Sequence, residues 1–336
     1  MLRKPWINSV MKNSPLLKVN QLHLDFIKDS HQTTRVLNGL NFELHEKQSL
    51  VLLGESGSGK SVTLRALLRL YEERNTIISG EVLFNGKNVL EMNKKELIDY
   101  RGKAVSMVFQ ESGAAFDPVY TVGYQIVEMI RAHESISYQE AQQRALELLD
   151  MVKIPQSKQR FKAYPHELSG GMRQRAMIAL ALACHPKILL ADEPTTALDA
   201  TVQMQILLLL KELQKELNMA LIFVTHDIGA ATELADQIAV MYAGRIVEKA
   251  DLDTIMAHPL HPYTEGLFNS VVTFDSKGKS LQAIPGSPPQ VGELVRGCSF
   301  AKRCNYSNQE CERVAPTLIS LNQTQVACWN PLINNS

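Results

Sequence analysis

Gly54-Glu55-Ser56-Gly57-Ser58-Gly59-Lys60-Ser61 fills every fixed position of the pattern GxxxxGK[ST], the loop that wraps a nucleotide's phosphates. Just ahead runs Leu50-Val51-Leu52-Leu53, an apolar stretch that reads as a buried parallel strand. Behind it, Ser61 to Leu70 has helix-forming composition. The motif therefore sits between a strand and a helix, where its mechanism requires it. Gly54, Gly57 and Gly59 let backbone N–H groups point inward around an anion, and the helix N-terminus adds a favourable dipole. Lys60 is placed to reach the β- and γ-phosphates, and the Ser61 hydroxyl to ligate Mg²⁺. Glu55, Ser56 and Ser58 complete the cradle.

Outward from the loop, strand-like and helix-like stretches alternate. Strands are expected within Leu17 to Phe26, Val36 to Leu44, Glu81 to Phe84 and Ala104 to Phe109. From Val122 to Val152 the pattern is helical, an insertion between two parts of a sheet. Strands resume at Ile188 to Ala191 and Ala220 to Val224, separated by an amphipathic helix from Thr201 to Leu217 and followed by a helix near Ala230 to Ala235. Such alternation predicts an α/β fold with a mostly parallel sheet. Beyond about Ala250 the composition shifts to Pro, Gly, His and Cys, which places a boundary near 250 to 260. The division expected is an N-terminal extension over 1–15, a nucleotide-binding domain over 16–255 with a helical subdomain at about 111–170, and a C-terminal extension over 256–336. Met11 is an alternative start.

The bulk numbers exclude some classes of function. The 336 residues carry 35 basic and 35 acidic side chains, so net charge points to neither a nucleic acid nor an anionic membrane surface. No stretch reaches the roughly 18–20 apolar residues of a membrane-spanning helix. The first fifteen residues hold charges and a proline but no apolar signal core. A cytosolic chain whose membrane association comes through a partner is the expectation.

A second chemical constellation matches the first. Ile188-Leu189-Leu190-Ala191-Asp192-Glu193 is an apolar strand ending in two carboxylates. Paired with a phosphate loop, Asp192 would hold Mg²⁺ and Glu193 would orient and polarise the water that attacks the γ-phosphoryl group. Leu168-Ser169-Gly170-Gly171-Met172-Arg173-Gln174-Arg175 opens a helix with a polar, glycine-rich N-terminus. Gln110 ends one strand and His226 follows another. Taken alone, either is more often structural than functional.

Together these motifs resemble the ATP-binding subunit of ABC transporters. Residues 168 to 175 look like that family's signature motif, Gln110 like its Q-loop glutamine, Thr196-Ala197-Leu198-Asp199 like its D-loop and His226 like its switch histidine. They occur in the family's order over roughly residues 17 to 250. The resemblance implies a P-loop NTPase core with an antiparallel β portion. It also implies a head-to-tail dimer trapping two ATP molecules, each held between one subunit's phosphate loop and the other's Ser169, Gly170 and Gly171. Gln110 would join Ser61 and Asp192 around Mg²⁺, Asp199 would lie near the nucleotide, and His226 would contact the γ-phosphate. An aromatic ring is implied against adenine; Phe26 is the candidate, with a core phenylalanine on a first strand as the alternative.

The finer resemblance is to the oligopeptide and dipeptide importer branch. It rests on His258-Pro259-Leu260-His261-Pro262-Tyr263-Thr264, on Ile284-Pro285-Gly286-Ser287-Pro288-Pro289, and on the cysteine-bearing stretch from Gly297 to Cys328. This implies ATP-driven import of peptides or similar small solutes, with two transmembrane permeases, a paralogous ATPase subunit, a separate solute-binding protein and a position on the cytoplasmic face of the inner membrane. The alternatives are a nickel or other non-peptide importer and a soluble ABC ATPase in cluster assembly or regulation. Cys298, Cys304, Cys311 and Cys328 are spaced C-x₅-C-x₆-C-x₁₆-C, without the CxxC pairs of structural zinc sites. Four thiols this close in a cytosolic chain favour a metal over disulfides. Some dipeptide-importer relatives carry a [4Fe–4S] cluster there, which is the first expectation, with zinc or four reduced thiols as alternatives. Cys184 stands apart as a small core residue.

Overall fold

The computed structural model describes residues 14–29, 32–111, 113, 115–196, 198–270, 284–293 and 295–333. Most of the expected N-terminal extension (residues 1–13) and Ala197 of the D-loop lie outside them. Two sheets form the body. In the smaller, β1 (Leu17–Asp29) pairs antiparallel with both β2 (Gln32–Leu44) and β4 (Thr76–Phe84), and β5 (Lys87–Asn88) edges β4. The apolar residues of β2 alternate inward, so Leu37, Leu40, Phe42 and Leu44 are buried while solvent takes the other face.

The larger sheet has eight strands in the order β11-β12-β10-β9-β3-β8-β7-β6. Its centre is parallel: β3 (Ser49–Leu53), β6 (Val105–Val108), β7 (Ile188–Asp192), β8 (Ala220–Thr225) and β9 (Gln237–Tyr242) run the same way. The strands β3, β7 and β8 are buried along their whole length, as their unbroken apolar runs require when helices cover both faces. Outward of β9 the pairing turns antiparallel, through β10 (Arg245–Asp251), β12 (Thr324–Val326) and β11 (Ile319–Leu321). The chain's last strands thus extend the same sheet as the phosphate loop, through the register Glu248↔Val326 and Lys249↔Gln325.

Helices fill the connections: α1 (Lys60–Leu67), α2 (Lys94–Asp99), α3 (Val122–His133), α4 (Tyr138–Met151), α5 (Ser157–Phe161), α6 (Gly170–Leu182), α7 (Ala200–Glu216), α8 (Ile228–Leu234), α9 (Leu252–Ala257), α10 (Pro262–Asn269) and α11 (Gln309–Arg313). The helical stretch read as running from Val122 to Val152 is two helices. Thr121 caps α3, and Ser137 opens α4 with a reciprocal capping box to Glu140, so Glu134–Ser137 is a turn. Ile126, Val127, Ile130, Ala141, Ala145, Leu148 and Leu149 bury the facing stripes of α3 and α4 in one core with Met177 and Ile178 of α6. No helix among the described residues is long and apolar enough to cross a membrane.

The parallel register carries the functional consequence. Strands β3, β6, β7 and β8 all end on one edge of the sheet, so whatever follows their last residues is brought together there.

Candidate functional site

From that edge emerge the loop after Leu53, Gln110 beyond Val108, Glu193 beyond Asp192, and His226 beyond Thr225. Val108 pairs with Ala191, which sets Gln110 and Glu193 each two residues beyond a shared rung. The loop's backbone leaves no room for side chains at its start: a Cβ on Gly54 would stand 2.2 Å from the Met241 carbonyl oxygen. Gly59 enters α1 at φ 101°, a left-handed conformation that other residues rarely adopt. The hairpin between β9 and β10 props the loop from beneath, Gly244 N–H donating to the Ser58 carbonyl at 3.0 Å.

Lys60 is buried and bends back over its own loop, donating to the carbonyls of Gly54 (2.7 Å) and Glu55 (3.0 Å). Burial pushes its ammonium below the ordinary lysine range, while Glu193, Asp192 and Glu55 draw it up. The Ser61 hydroxyl donates to Asp192 Oδ1 at 2.6 Å. Asp192 is wholly enclosed, and its other oxygen has no hydrogen-bond partner, the nearest cation being Arg65 Nη2 at 3.8 Å. Burial raises its pKa; the Ser61 hydrogen bond, Arg65 and Lys60 oppose that. A hydroxyl beside a buried carboxylate with one orphaned oxygen fits a hard divalent cation such as Mg²⁺, which takes few protein ligands and completes its shell with water and phosphate.

Glu193 turns out of β7 at φ 42°. Its Oε1 stands 3.2 Å from His226 Nδ1, and its Oε2 accepts the Thr196 hydroxyl at 3.1 Å. The sequence separates Glu193 and His226 by 33 positions; adjacent parallel strands bring them into contact. Gln110 is exposed at the same edge.

The other predicted residues divide. Phe26 on β1 is half-buried and meets Tyr71 edge-on, ring centroids 5.2 Å apart, so the ring belongs in part to the packing of the smaller sheet. Ser169 caps α6, its hydroxyl accepting from Met172 N–H at 3.3 Å, and with Gly170 it is exposed at the helix N-terminus. A Cβ on Gly171 would press to 2.8 Å on Val202, which ties that N-terminus closely to α7. Asp199 caps α7, accepting from Thr201 and Val202 N–H. The bonds of Ser169 and Asp199 are therefore local.

The tail thiols draw together enough for Cys298, Cys304 and Cys311 each to act electrostatically on Cys328. Burial raises the pKa of Cys298 and Cys304 and pushes that of Cys328 to about 12. Among the described residues, no group of three or more His, Cys, Asp or Glu side chains is arranged to hold a metal ion. The iron–sulfur expectation therefore lacks a ligand set among the described residues.

Sequence reasoning missed four residues around the loop. Arg65 and Tyr71 lie on or just after α1 beside Asp192 and Phe26. Tyr263 and Arg303 come from the tail and both bond Glu55. Tyr263 lay within a motif quoted as a branch marker; nothing local in the sequence marks Arg303.

Comparisons with known proteins point to one family. Residues 37–196 match the model of the ABC transporter family, and residues 247–311 that of the oligopeptide/dipeptide transporter C-terminal region. The chain is 46% identical over 308 residues to a putative peptide import ATP-binding protein of Brucella abortus, covering 92% of each. It is 44% identical to the oligopeptide transport ATP-binding protein OppD of Salmonella typhimurium, covering 94% of each. Among solved structures, the dimeric ATP-binding cassette MJ0796 in a post-hydrolysis state with ADP and Pi matches with a TM-score of 0.62 at 29% identity, covering 70% of this chain and 98% of that one. CbiO1 of Clostridium perfringens, part of the ABC transporter complex cbiONQ, matches with a TM-score of 0.62 at 26% identity, covering 72% and 91%.

Proposed function

The chain belongs to the ABC transporter family of ATP-binding proteins, and from that premise we propose how its residues divide the work of ATP-driven peptide import. It is an ATPase coupled to transport, and the oligopeptide and dipeptide branch is carried by the tail match and by relatives alike along most of their length. The single observation that carries the mechanism is the convergence of Lys60, Ser61, Asp192, Glu193 and His226 on one edge of a parallel sheet.

In this reading residues 16–255 are the ATPase domain and 256–336 its extension. Loop amides and Lys60 bind the β- and γ-phosphates, exchanging the lysine's bonds to Gly54 and Glu55 for bonds to phosphate oxygens. Mg²⁺, when bound by Ser61, Asp192 and Gln110, supplies positive charge against the phosphates. The Glu193 carboxylate accepts a hydrogen bond from the attacking water, orienting and polarising it toward the γ-phosphorus, and His226, in contact with Glu193, senses the γ-phosphate. Phe26 lies against adenine. Ser169, Gly170, Gly171 and Asp199 serve a second ATPase subunit's nucleotide in a head-to-tail dimer with a paralogue, and the exposure of Ser169 and Gly170 with the purely local bonds of Ser169 and Asp199 supports this. Two permease subunits couple through the α3–α6 helices and the Gln110 loop, holding the chain at the cytoplasmic face of the membrane, and a solute-binding protein delivers the peptide.

The test is Glu193→Gln in the transporter assembled with its permeases. ATP should still bind, while hydrolysis and peptide uptake fall by about two to four orders of magnitude. Normal turnover would refute the assignment. The iron–sulfur cluster forms no part of this reading; stoichiometric iron in anaerobically purified protein, lost in Cys304→Ser, would restore it.

A further inference from the structure

Glu55 is held from three directions, two of them by the C-terminal extension. Its carbonyl accepts from Lys60. Its backbone N–H donates to the Tyr263 hydroxyl at 2.9 Å, across 208 positions of sequence. Its carboxylate receives both ends of the Arg303 guanidinium, Nη1 to Oε2 at 2.7 Å and Nη2 to Oε1 at 3.0 Å. This is a bidentate, charge-assisted pair, the arrangement that fixes orientation as well as distance. It raises the Arg303 pKa further above its already high ordinary value.

The extension is built to hold that arginine still. The side chain is only 5% exposed. Its Nε donates to the Pro285 carbonyl at 2.8 Å, and its charge lies over the rings of Tyr242 and Phe300 at 5.7 and 5.8 Å. Tyr242, Tyr263 and Phe300 pack on one another with centroids 4.6 to 5.4 Å apart. Arg303 ends the tight turn Ala301–Arg303, which lies between Cys298 and Cys304 and is anchored by Cys298 N–H to the Cys311 carbonyl at 2.7 Å. Tyr263 stands at the start of α10, whose entry is fixed by Glu248: its carboxylate accepts the N–H groups of Leu260 and His261.

Glu55 is thus engaged through both its amide and its carboxylate. Its amide is spent on Tyr263, so phosphate recognition falls to the amides that follow it. Its side chain is an anchor at the point where the loop leaves β3. We propose that Tyr263 and Arg303 are positioning residues for nucleotide binding: through Glu55 the C-terminal extension holds the phosphate loop in its binding shape, so the affinity for MgATP depends on the extension. The inference rests on the ATPase reading above and goes beyond it, because it gives the extension a task at the nucleotide site. A displacement of the turn between Cys298 and Cys304 would be transmitted to the phosphate loop through one ion pair.

The experiment is calorimetric titration of MgATP into the full-length chain carrying Glu193→Gln to prevent turnover, with Arg303→Met, Glu55→Gln, the two combined, Arg303→Lys and Tyr263→Phe. Arg303→Met should weaken MgATP by about 10-fold, since it leaves the Glu55 carboxylate half-buried without its partner. The combined variant should bind no more weakly than Arg303→Met, because both act through one contact. Arg303→Lys should recover only part of the loss, lacking the fork. In the assembled transporter with Glu193 intact, Arg303→Met should raise KM for ATP while kcat at saturation stays within about twofold, a split that loss of folded protein would not produce. Unchanged affinity in folded Arg303→Met, or losses that multiply in the combined variant, would overturn the proposal. Should Arg303→Met fail to fold, Tyr263→Phe decides: it keeps the ring and removes one acceptor, and should weaken MgATP by about 3- to 10-fold. Wild-type affinity in that variant would refute the idea. If the parent chain itself bound no MgATP, the ATPase reading would fall; binding by the parent with indifferent variants would sink this inference alone.

Discussion

His261 makes the junction between the ATPase sheet and the extension sensitive to acid. Its ring is 1% exposed, its Nδ1 accepts the Tyr263 N–H at 3.0 Å, and its Nε2 has no partner. Burial pushes its pKa from the ordinary 6.5 to about 3. The folded state therefore refuses a proton that an opened state accepts, so stability is complete above the opened-state pKa and declines as pH falls through the interval from 6.5 toward 3. Each pH unit in that interval costs about 1.4 kcal/mol, so pH 5, about 1.5 units below 6.5, should cost about 2 kcal/mol relative to neutral pH. Glu248, which accepts the His261 backbone N–H, has its pKa raised by burial and works in the opposite sense. The clean observable is thus a difference between two proteins. Hydrogen exchange of the peptide spanning 258–269, corrected for intrinsic rates, should show opening that rises from pH 7 to pH 5 about 30-fold more in the parent than in a variant without the imidazole. In His261→Asn, where a side-chain oxygen can cap α10 without titrating, most of that change should vanish. An equal acid response in both proteins would refute the reasoning.

Three other outcomes follow from the site. Gly54→Ala forces a Cβ to within 2.2 Å of the Met241 carbonyl oxygen, so it should lower stability by about 1–3 kcal/mol in denaturant titration and abolish detectable ATP binding; normal binding would mean that the loop is less constrained than its geometry implies. Asp192→Asn should lose Mg²⁺-dependent ATP binding while raising the thermal midpoint by roughly 2 °C, because it removes a buried carboxylate whose charge burial disfavours; a lower midpoint in calorimetry would contradict that. Leu149→Ala, at a fully buried position of α4, should cost about 2–5 kcal/mol and, if permeases couple through α3–α6 as proposed, slow peptide uptake more than ATP binding; intact uptake at full loss of stability would argue against that coupling route.

The sequence by itself named every group proposed to act on the nucleotide. Asp192 and Glu193 are legible because they sit at the end of an apolar strand, a local pattern that burial imposes on any parallel sheet, and Lys60 and Ser61 because they close the phosphate-loop pattern where it enters α1. The phosphate loop is legible because its glycines answer constraints within eight residues. The strands β9 and β10 were not foreseen, since Gln237 to Asp251 mixes charged and apolar residues without a clean period. The split between α3 and α4 was missed because a capping serine and its turn interrupt a helical pattern without changing its composition.

Only the tertiary structure decided that Glu193 touches His226, that the tail's last strands extend the main sheet, and that Arg303 and Tyr263 meet on Glu55. The last is the clearest case. An arginine between two cysteines and a glutamate in a phosphate loop carry no mutual signal across 248 residues, and a tail rich in cysteine suggests a metal before it suggests an ion pair. Local motifs report what a segment needs from its own backbone. A contact between distant segments is set by how the sheet stacks its strands and which side chains that stacking leaves facing one another, and no window of sequence contains that information.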